Sequence, residues 1–363
     1  VKKILFIASH RPDRSPSQRF RFEQFVDYFE ENGFHCEQSY FISDNDDKYL
    51  YRKGAYQQKL RIVLKAIFTR LKDVARANEF DIIFIQREAF LLGSTYFERQ
   101  FSKSKAKLLY DFDDSIWLDE TSDANKKLSW LKYPGKIDQI ISISDMVFAG
   151  NKYLADYATY FNRNVKIVPT VIDTNRHVRT IRKTDNSSPV CIGWTGSITT
   201  IKHFQHAVPV LTKLREKYGN RITFKVIGDP NYVNKDLQIK GVAWSSTTEI
   251  DELSAIDIGI MPLPDDEWTK GKCGLKGLQY MALEIPAIMS PVGVNCEIIN
   301  DGVNGFLAKN DEEWLDKLSV LIDDATLRQK MGKEARKTVV EHYSKDSEKG
   351  NYIKYFNELL ATK

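Results

Sequence analysis

The sequence predicts an α/β protein made of two domains, each with a parallel sheet covered by helices. Three observations carry this. Short apolar runs alternate with helix-length segments from end to end, the signature of parallel α/β sheets. The 363 residues exceed the roughly 250–300 that one hydrophobic core ordinarily organises. The alternation loosens once, over the polar segment Arg179 to Pro189, and then resumes. The expected domains are therefore 1–175 and 188–345, with the loosened segment as linker.

In chain order, Ile4–Ser9 reads as a first buried strand. A helix follows near Gln18–Glu31, stopped by Gly33, and His35–Phe41 is the next strand. The acidic run Ser43–Asp47 reads as a polar loop, leading to a long helical stretch that ends near Asn78. Strands are expected at Ile82–Ile85, Leu108–Tyr110, Met146–Ala149 and Val165–Val168. The second series comprises Val190–Trp194, Thr223–Ile227, Ile256–Met261, Ala287–Ser290 and Phe306–Leu307. Its helices include His203–Lys217 and Glu313–Asp323. Ser347–Leu360 forms a last helix with Tyr352, Ile353, Phe356, Leu359 and Leu360 on one side. The result is two Rossmann-like domains, with ligands expected at the strand C-termini lining a cleft.

Composition narrows the function. Hydrophobic residues make up 42% and charged residues 28%, as in a globular protein with a sizeable core. A net charge of +4 over this length does not argue for nucleic acid, and no nucleic-acid partner is expected. No apolar run approaches the length of a membrane span. Cys36, Cys191, Cys273 and Cys296 are widely separated, with no Cys/His ligand spacing. No zinc site, other metal site or disulfide framework is expected, and a cytoplasmic setting follows. His203 and His206 read as surface residues near a helix start.

The stretch Gly271–Gly293 is the focus of the chemistry. Gly271, Gly274 and Gly277 punctuate a loop that runs into a helix at about Leu275–Leu283, and Lys272 and Lys276 add charge there. The helix points free N–H groups and the positive end of its dipole at that loop, which suits a phosphate or diphosphate. Gly193-Trp-Thr-Gly-Ser197 leaves the first strand of the second domain and reaches Lys202 six residues after Gly196. The Ser197 hydroxyl and nearby N–H groups can hold phosphate oxygens with Lys202 as counter-charge. Alone, that turn reads equally as a tight βα connection. Beside the glycine loop it becomes a second jaw. Val226-Ile-Gly-Asp229 and Gly241-Val-Ala-Trp244 lie where a base can rest, with Trp244 read as a packing residue.

Several motifs occur together and in order: Gly193–Ser197, Asp257-Ile-Gly-Ile-Met-Pro-Leu-Pro264, Gly271–Lys276 with Gln279–Ala282, and Ser290–Asn295 with Glu297. This set resembles the donor domain of retaining glycosyltransferases of the group-1 type (family four), which have the GT-B fold. Ser17–Gln24, Tyr110–Trp117, Ala149–Leu154 and Val168–Asp173 are similar to a bacterial branch of that family. The resemblance implies a nucleotide diphosphate sugar held mostly against the second domain, with Lys276 and Lys202 on the diphosphate. Gly196 and Ser197 would admit the phosphate, Lys272 would add charge, and Glu297 would lie near the nucleotide. Many relatives carry two glutamates eight positions apart, where this chain has Gly271 and Gln279. Gln279 can still hydrogen-bond a ribose hydroxyl. Gly271 cannot replace a carboxylate. The resemblance further implies that the helix at about 346–363 rejoins the first domain, that the donor is a substrate and no cofactor is needed, and that the acceptor is a glycan or lipid-linked sugar.

The cluster Asp111-Phe-Asp113-Asp114 follows a strand. An Asp-x-Asp there can hold a divalent metal, but a metal site of that type leaves the phosphate features after residue 190 unexplained. The preferred expectation is that Asp113 or Asp114 orients or deprotonates the acceptor hydroxyl, the other capping a turn. Ser17, Arg19 and Arg21 are placed on the acceptor or phosphate side, with a surface salt bridge as the alternative for the arginines. Arg52 to Arg76 carries eight basic residues against the single acid Asp73, interleaved with apolar ones. Such a helix either lies on an anionic membrane at its cytoplasmic face or packs its apolar side on the sheet. The function expected is sugar transfer from a nucleotide diphosphate sugar to a glycan or glycolipid hydroxyl in bacterial surface polysaccharide synthesis, retaining and metal-independent. The rivals are a non-catalytic nucleotide-sugar-binding scaffold subunit and a non-hydrolysing sugar-nucleotide epimerase.

Overall fold

The computed structural model describes residues 1–50, 52, 54–118, 133, 135–180 and 188–361. Lys53 and residues 181–187 of the expected linker lie outside the described residues. Two compact units result, Val1–Thr170 with Glu348–Lys363, and Val171–Ser347.

The first unit holds β1 (Lys2–Ile7), β2 (Phe34–Ser39), β3 (Ile82–Gln86), β4 (Lys107–Phe112), β5 (Met146–Ala149) and β6 (Val165–Ile167). Their order is β2-β1-β3-β4-β5-β6, every pairing parallel. Ile82–Ile85 are buried without alternation, as a strand covered on both faces requires. The second unit holds β7 (Val190–Thr195), β8 (Ile222–Ile227), the short antiparallel pair β9 (Val233–Asn234) and β10 (Ile239–Lys240), then β11 (Ile258–Met261), β12 (Ala287–Met289) and β13 (Gly305–Leu307). Its main sheet is parallel in the order β13-β12-β11-β7-β8. In each sheet the winding reverses beside the first strand, between β1 and β3 and between β7 and β11. Loops leaving the strand C-termini at such points are where open α/β sheets bind ligands.

Three helical expectations need correction. The helix expected over Gln18–Glu31 is broken into Pro16–Arg19, a 3-10 turn Glu23–Phe25 and Val26–Glu31. Arg19, Phe20, Arg21 and Phe22 are all buried, and four successive inward side chains cannot share one face of an α-helix. The acidic loop is instead a helix, Asp44–Leu50. Asp46 accepts from the Ser43 N–H at 2.8 Å, and three aspartates sit in the first turn where the dipole favours them. The helix expected over His203–Lys217 is two, Ile201–Gln205 and Val208–Tyr218, with Pro209 in the first turn of the second.

Two helices of the first unit bear on function. Lys345–Ala361 lays Tyr352 and Phe356 against Phe25, Phe29 and Phe148, and the Tyr352 hydroxyl donates to the Arg21 carbonyl. The long helix Tyr56–Ala75 buries Ile62 and Ala66 but also Arg70 and Asp73. Arg70 is wholly enclosed and donates to Asp73 at 2.8 Å and to the Ala8 and Ala89 carbonyls at 2.6 and 2.7 Å. Leu60, Leu64, Phe68 and Leu71 face outward, 46–61% exposed. Four of the interleaved apolar residues thus face away from the sheet.

Candidate active site

In the second unit the loops after β7 and β11 converge. The helix Leu275–Ala282 starts at Gly274, whose φ of +71° is the left-handed region glycine favours. Gly271 has an ordinary φ of −76°, and Gly277 is small because a Cβ there would meet the Met289 sulfur at 2.5 Å. Of the three glycines, only Gly274 is required by backbone torsion. The Lys276 ammonium lies 5.6 Å from the centre of the Trp194 ring, and the Tyr280 hydroxyl accepts from the Thr195 N–H at 2.8 Å. These contacts fix the helix to the end of β7. Lys272 sits 5.2 Å from the Trp268 ring centre.

A single buried group reports how the charges converge. His203 is 3% exposed, not a surface residue as expected, and neither ring nitrogen has a hydrogen-bond partner. Burial pushes its imidazole down to about 3, reinforced by the charges of Lys276, Lys272, Lys202 and His206. Lysines from both loops therefore act on one point. Asp266, which caps the helix Glu267–Lys270, feels His203 and Lys202 in turn.

The Gly196–Ser197 turn is not the open phosphate cradle expected. The Gly196 N–H donates to the Ile227 carbonyl at 3.0 Å, and a Cβ at Gly196 would strike the Trp194 ring. The Ser197 N–H is taken by the Thr200 hydroxyl at 2.9 Å in a capping box. Gln279 is 4% exposed, and its amide donates to Glu249 at 3.0 Å, which also accepts from the Trp244 indole at 2.9 Å. Glu297 is exposed on the short helix Asn295–Ile298, its charge felt by Cys296 and Tyr343.

The first unit gathers charge at the ends of β1, β3 and β4. Arg21 is wholly buried, with Nε 3.2 Å from both Asp111 oxygens and its other nitrogens on Asp111 and the Val168 carbonyl. That corrects its expected place: its charge is committed inside the unit and is not offered to a ligand. Arg19 pairs with Asp13 at 2.9 Å, the salt-bridge alternative, though it is itself 6% exposed. Asp113 accepts from Arg87 at 2.8 Å and Asp114 lies 3.5 Å from the same guanidinium. Burial raises the Asp113 carboxyl, but Arg87, Arg21 and the Ser17 hydroxyl outweigh it and hold the group below its ordinary value. An acid kept that firmly ionised is a good hydrogen-bond acceptor and a poor proton acceptor. Among the described residues no group of three or more His, Cys, Asp or Glu is placed to hold a metal ion.

Residues 189–324 match the family described as glycosyl transferases group 1. The chain carries a group 1 glycosyltransferase domain. Solved structures agree on the fold over the whole length. A sucrose-phosphate synthase from Thermosynechococcus elongatus superposes with a TM-score of 0.73 at 12% identity, covering 100% of both chains. A glycosyltransferase from Rickettsia africae gives 0.70 at 16%, covering 100% of this chain and 99% of the other. HepE from Anabaena, crystallised with UDP-glucose, gives 0.65 at 13%, covering 98% and 99%. No curated protein sequence matches the chain. The glycosyltransferase thus has the GT-B fold.

Two residues escaped the sequence reading, and a third was misplaced by it. Arg87 lies just past β3, and the parallel register Gln86↔Asp111 puts it beside the Asp113 loop. Its φ of +62°, rare outside glycine, marks a backbone held in place by its N–H bond to the Asp111 carbonyl at 2.8 Å. Glu249 is brought to Gln279 only by tertiary packing, and nothing local marks it. His203 follows Lys202 directly and was visible, but its burial was not.

Proposed function

We propose that this glycosyltransferase takes its sugar from a nucleotide diphosphate sugar, with the diphosphate at Lys202, Lys272 and Lys276. The observation that carries the reading is the helix starting at Gly274, which sets Lys276 over the Trp194 ring at the end of β7, beside the β7/β11 reversal and inside the segment matching the group 1 family. The HepE structure with UDP-glucose supports it by likeness of fold. Charge developing on the leaving diphosphate is stabilised by the lysines and by the helix starting at Gly274, in place of a metal. Transfer proceeds with retention at the anomeric carbon. Gln279, steadied by Glu249, keeps its amide oxygen for a ribose hydroxyl, and Glu297 serves the nucleotide side. In the first unit Asp113 orients the acceptor hydroxyl, with Asp114 and Ser17 beside it. The acceptor is a glycan or glycolipid of bacterial surface polysaccharide synthesis.

The outward stripe of Leu60, Leu64, Phe68 and Leu71, flanked by Arg61, Lys65 and Lys72, favours a contact with the cytoplasmic face of an anionic membrane. No described helix is long and apolar enough to cross a membrane. The donor reading is tested by thermal stability against UDP, GDP, ADP, CDP and dTDP sugars. One donor should stabilise selectively and be turned over with extract glycolipids. Binding without turnover selects the scaffold rival, and silence across the panel removes the donor assignment. For the membrane, co-sedimentation with phosphatidylglycerol vesicles should be lost in a Leu64→Glu/Phe68→Glu variant. Equal sedimentation of both proteins sinks that contact.

A further inference from the structure

The imidazole of His203 has no role in the donor site as described, yet it is buried directly after Lys202 and the charges of all three lysines act on it. It comes from the helix Ile201–Gln205, is 3% exposed, and leaves Nδ1 and Nε2 both without partners. A buried polar group without a partner costs about 1–3 kcal/mol, a cost that a hydrogen bond to an anion held by the neighbouring lysines would recover. Lys276 acts on it from the helix Leu275–Ala282, Lys272 from the glycine loop, and Lys202 and His206 from its own segment. Asp266 faces it from the cap of Glu267–Lys270. The lysine charges acting on the ring disfavour its protonation.

We propose that His203 is a proton-uptake site coupled to donor binding: the diphosphate arrives between the lysines, and the imidazole takes a proton from solvent and becomes a hydrogen-bond donor to the anion. The inference rests on the proposed donor assignment to the three lysines. The coupling is reciprocal. The anion offsets the lysine field that keeps the ring neutral, and the proton on the ring in turn tightens the anion. One nitrogen–hydrogen bond forms, one solvent proton is consumed, and no other bond changes. A histidine serving only to fill space exchanges no proton on binding.

The test is calorimetric. The intact protein is titrated at pH 5.5 with UDP-glucose, GDP-mannose and ADP-glucose. Their doubly esterified diphosphates do not themselves titrate near that pH. Each titration is run in two buffers of different ionisation enthalpy. The donor that binds should take up a substantial fraction of a proton, approaching one if the bound imidazole returns to its ordinary value of about 6.5. Its affinity should fall by up to about tenfold per pH unit from pH 5 to 6.5 and level off above. His203→Gln should bind without proton uptake, and His206→Gln should keep it. Identical heats in both buffers for a binding donor overturn the coupling and leave the donor site standing. Absence of binding by all three at pH 5.5 and pH 7.5, with the protein folded, removes the donor assignment and this inference with it. Because the decisive measurement uses the unmodified chain, misfolding of a variant cannot mimic either outcome.

Discussion

Replacing Arg21 by methionine tests whether this arginine holds the first unit together or meets a ligand. The guanidinium is fully enclosed, makes two 3.2 Å contacts to Asp111 through Nε, and has its remaining nitrogens on Asp111 and the Val168 carbonyl. Arg21→Met leaves the buried Asp111 carboxylate without its paired cation, a loss of about 3–5 kcal/mol. For a unit of this size about 2–4 °C accompanies each kcal/mol, so the melting transition of the first unit should drop by roughly 6–20 °C. Arg21→Met/Asp111→Leu removes both charges and leaves chiefly the Val168 carbonyl unsatisfied, about 1–3 kcal/mol. The double variant should therefore melt above the single one. Scanning calorimetry reads the transitions separately, and nucleoside diphosphate affinity is measured alongside at a temperature where all three proteins are folded. Affinity should be unchanged. A single variant that melts within 2 °C of the parent but loses nucleotide affinity would refute the structural role and restore Arg21 as a ligand cation.

Further outcomes follow from the second unit. Lys276→Ala removes a charge-assisted contact worth about 1.5–3 kcal/mol and should weaken nucleoside diphosphate binding roughly 10- to 150-fold; unchanged affinity by calorimetry contradicts the diphosphate assignment. Gly274→Ala forces a side chain into left-handed torsion and places a Cβ 2.3 Å from the Ile298 Cδ1. Urea titration should show a loss of about 1–3 kcal/mol, and an unaltered midpoint argues against the left-handed turn. His203 is held down to about 3 in the fold, so the unfolded chain binds its proton first as acid is added. Its contribution is complete above about pH 6.5 and falls by up to about 1.4 kcal/mol per pH unit toward pH 3, a slope His203→Gln should flatten in urea titrations. Sugar transfer should survive EDTA. Loss on chelation with rescue by manganese returns the Asp111–Asp113 pair to consideration as a metal site.

Much of the architecture was legible because strands in covered parallel sheets are written as unbroken apolar runs. Met146–Ala149 is found at its expected limits, and the other strands of the two parallel sheets lie within one or two residues of theirs, whereas the short pair β9 and β10 was not expected. The lysine loops were legible for a related reason. Gly274 and the helix after it are local features, and strand order then puts β7 and β11 side by side. What could not be read depends on which side of a chain faces inward. The segment Arg19–Phe22 has helical composition, yet burying all four residues breaks the helix. Gly196 looked like an opening for phosphate, but its N–H continues the sheet and its missing side chain makes room for Trp194. Arg87 and Glu249 act through partners 26 and 30 residues away, a distance that local pattern does not span.

The last helix has a consequence for how the chain is made. The aromatic cluster of Phe25, Phe29 and Phe148 is closed by Tyr352 and Phe356, and the Arg21 carbonyl waits for the Tyr352 hydroxyl. During synthesis the strands of the first unit emerge some two hundred residues before the piece that seals them. At about 5–20 residues per second the ribosome leaves this apolar surface uncovered for roughly ten to forty seconds, while the whole second unit is being built. The nascent first unit is thus a natural client for chaperones, and a chain that stops short of Tyr352 releases it unsealed.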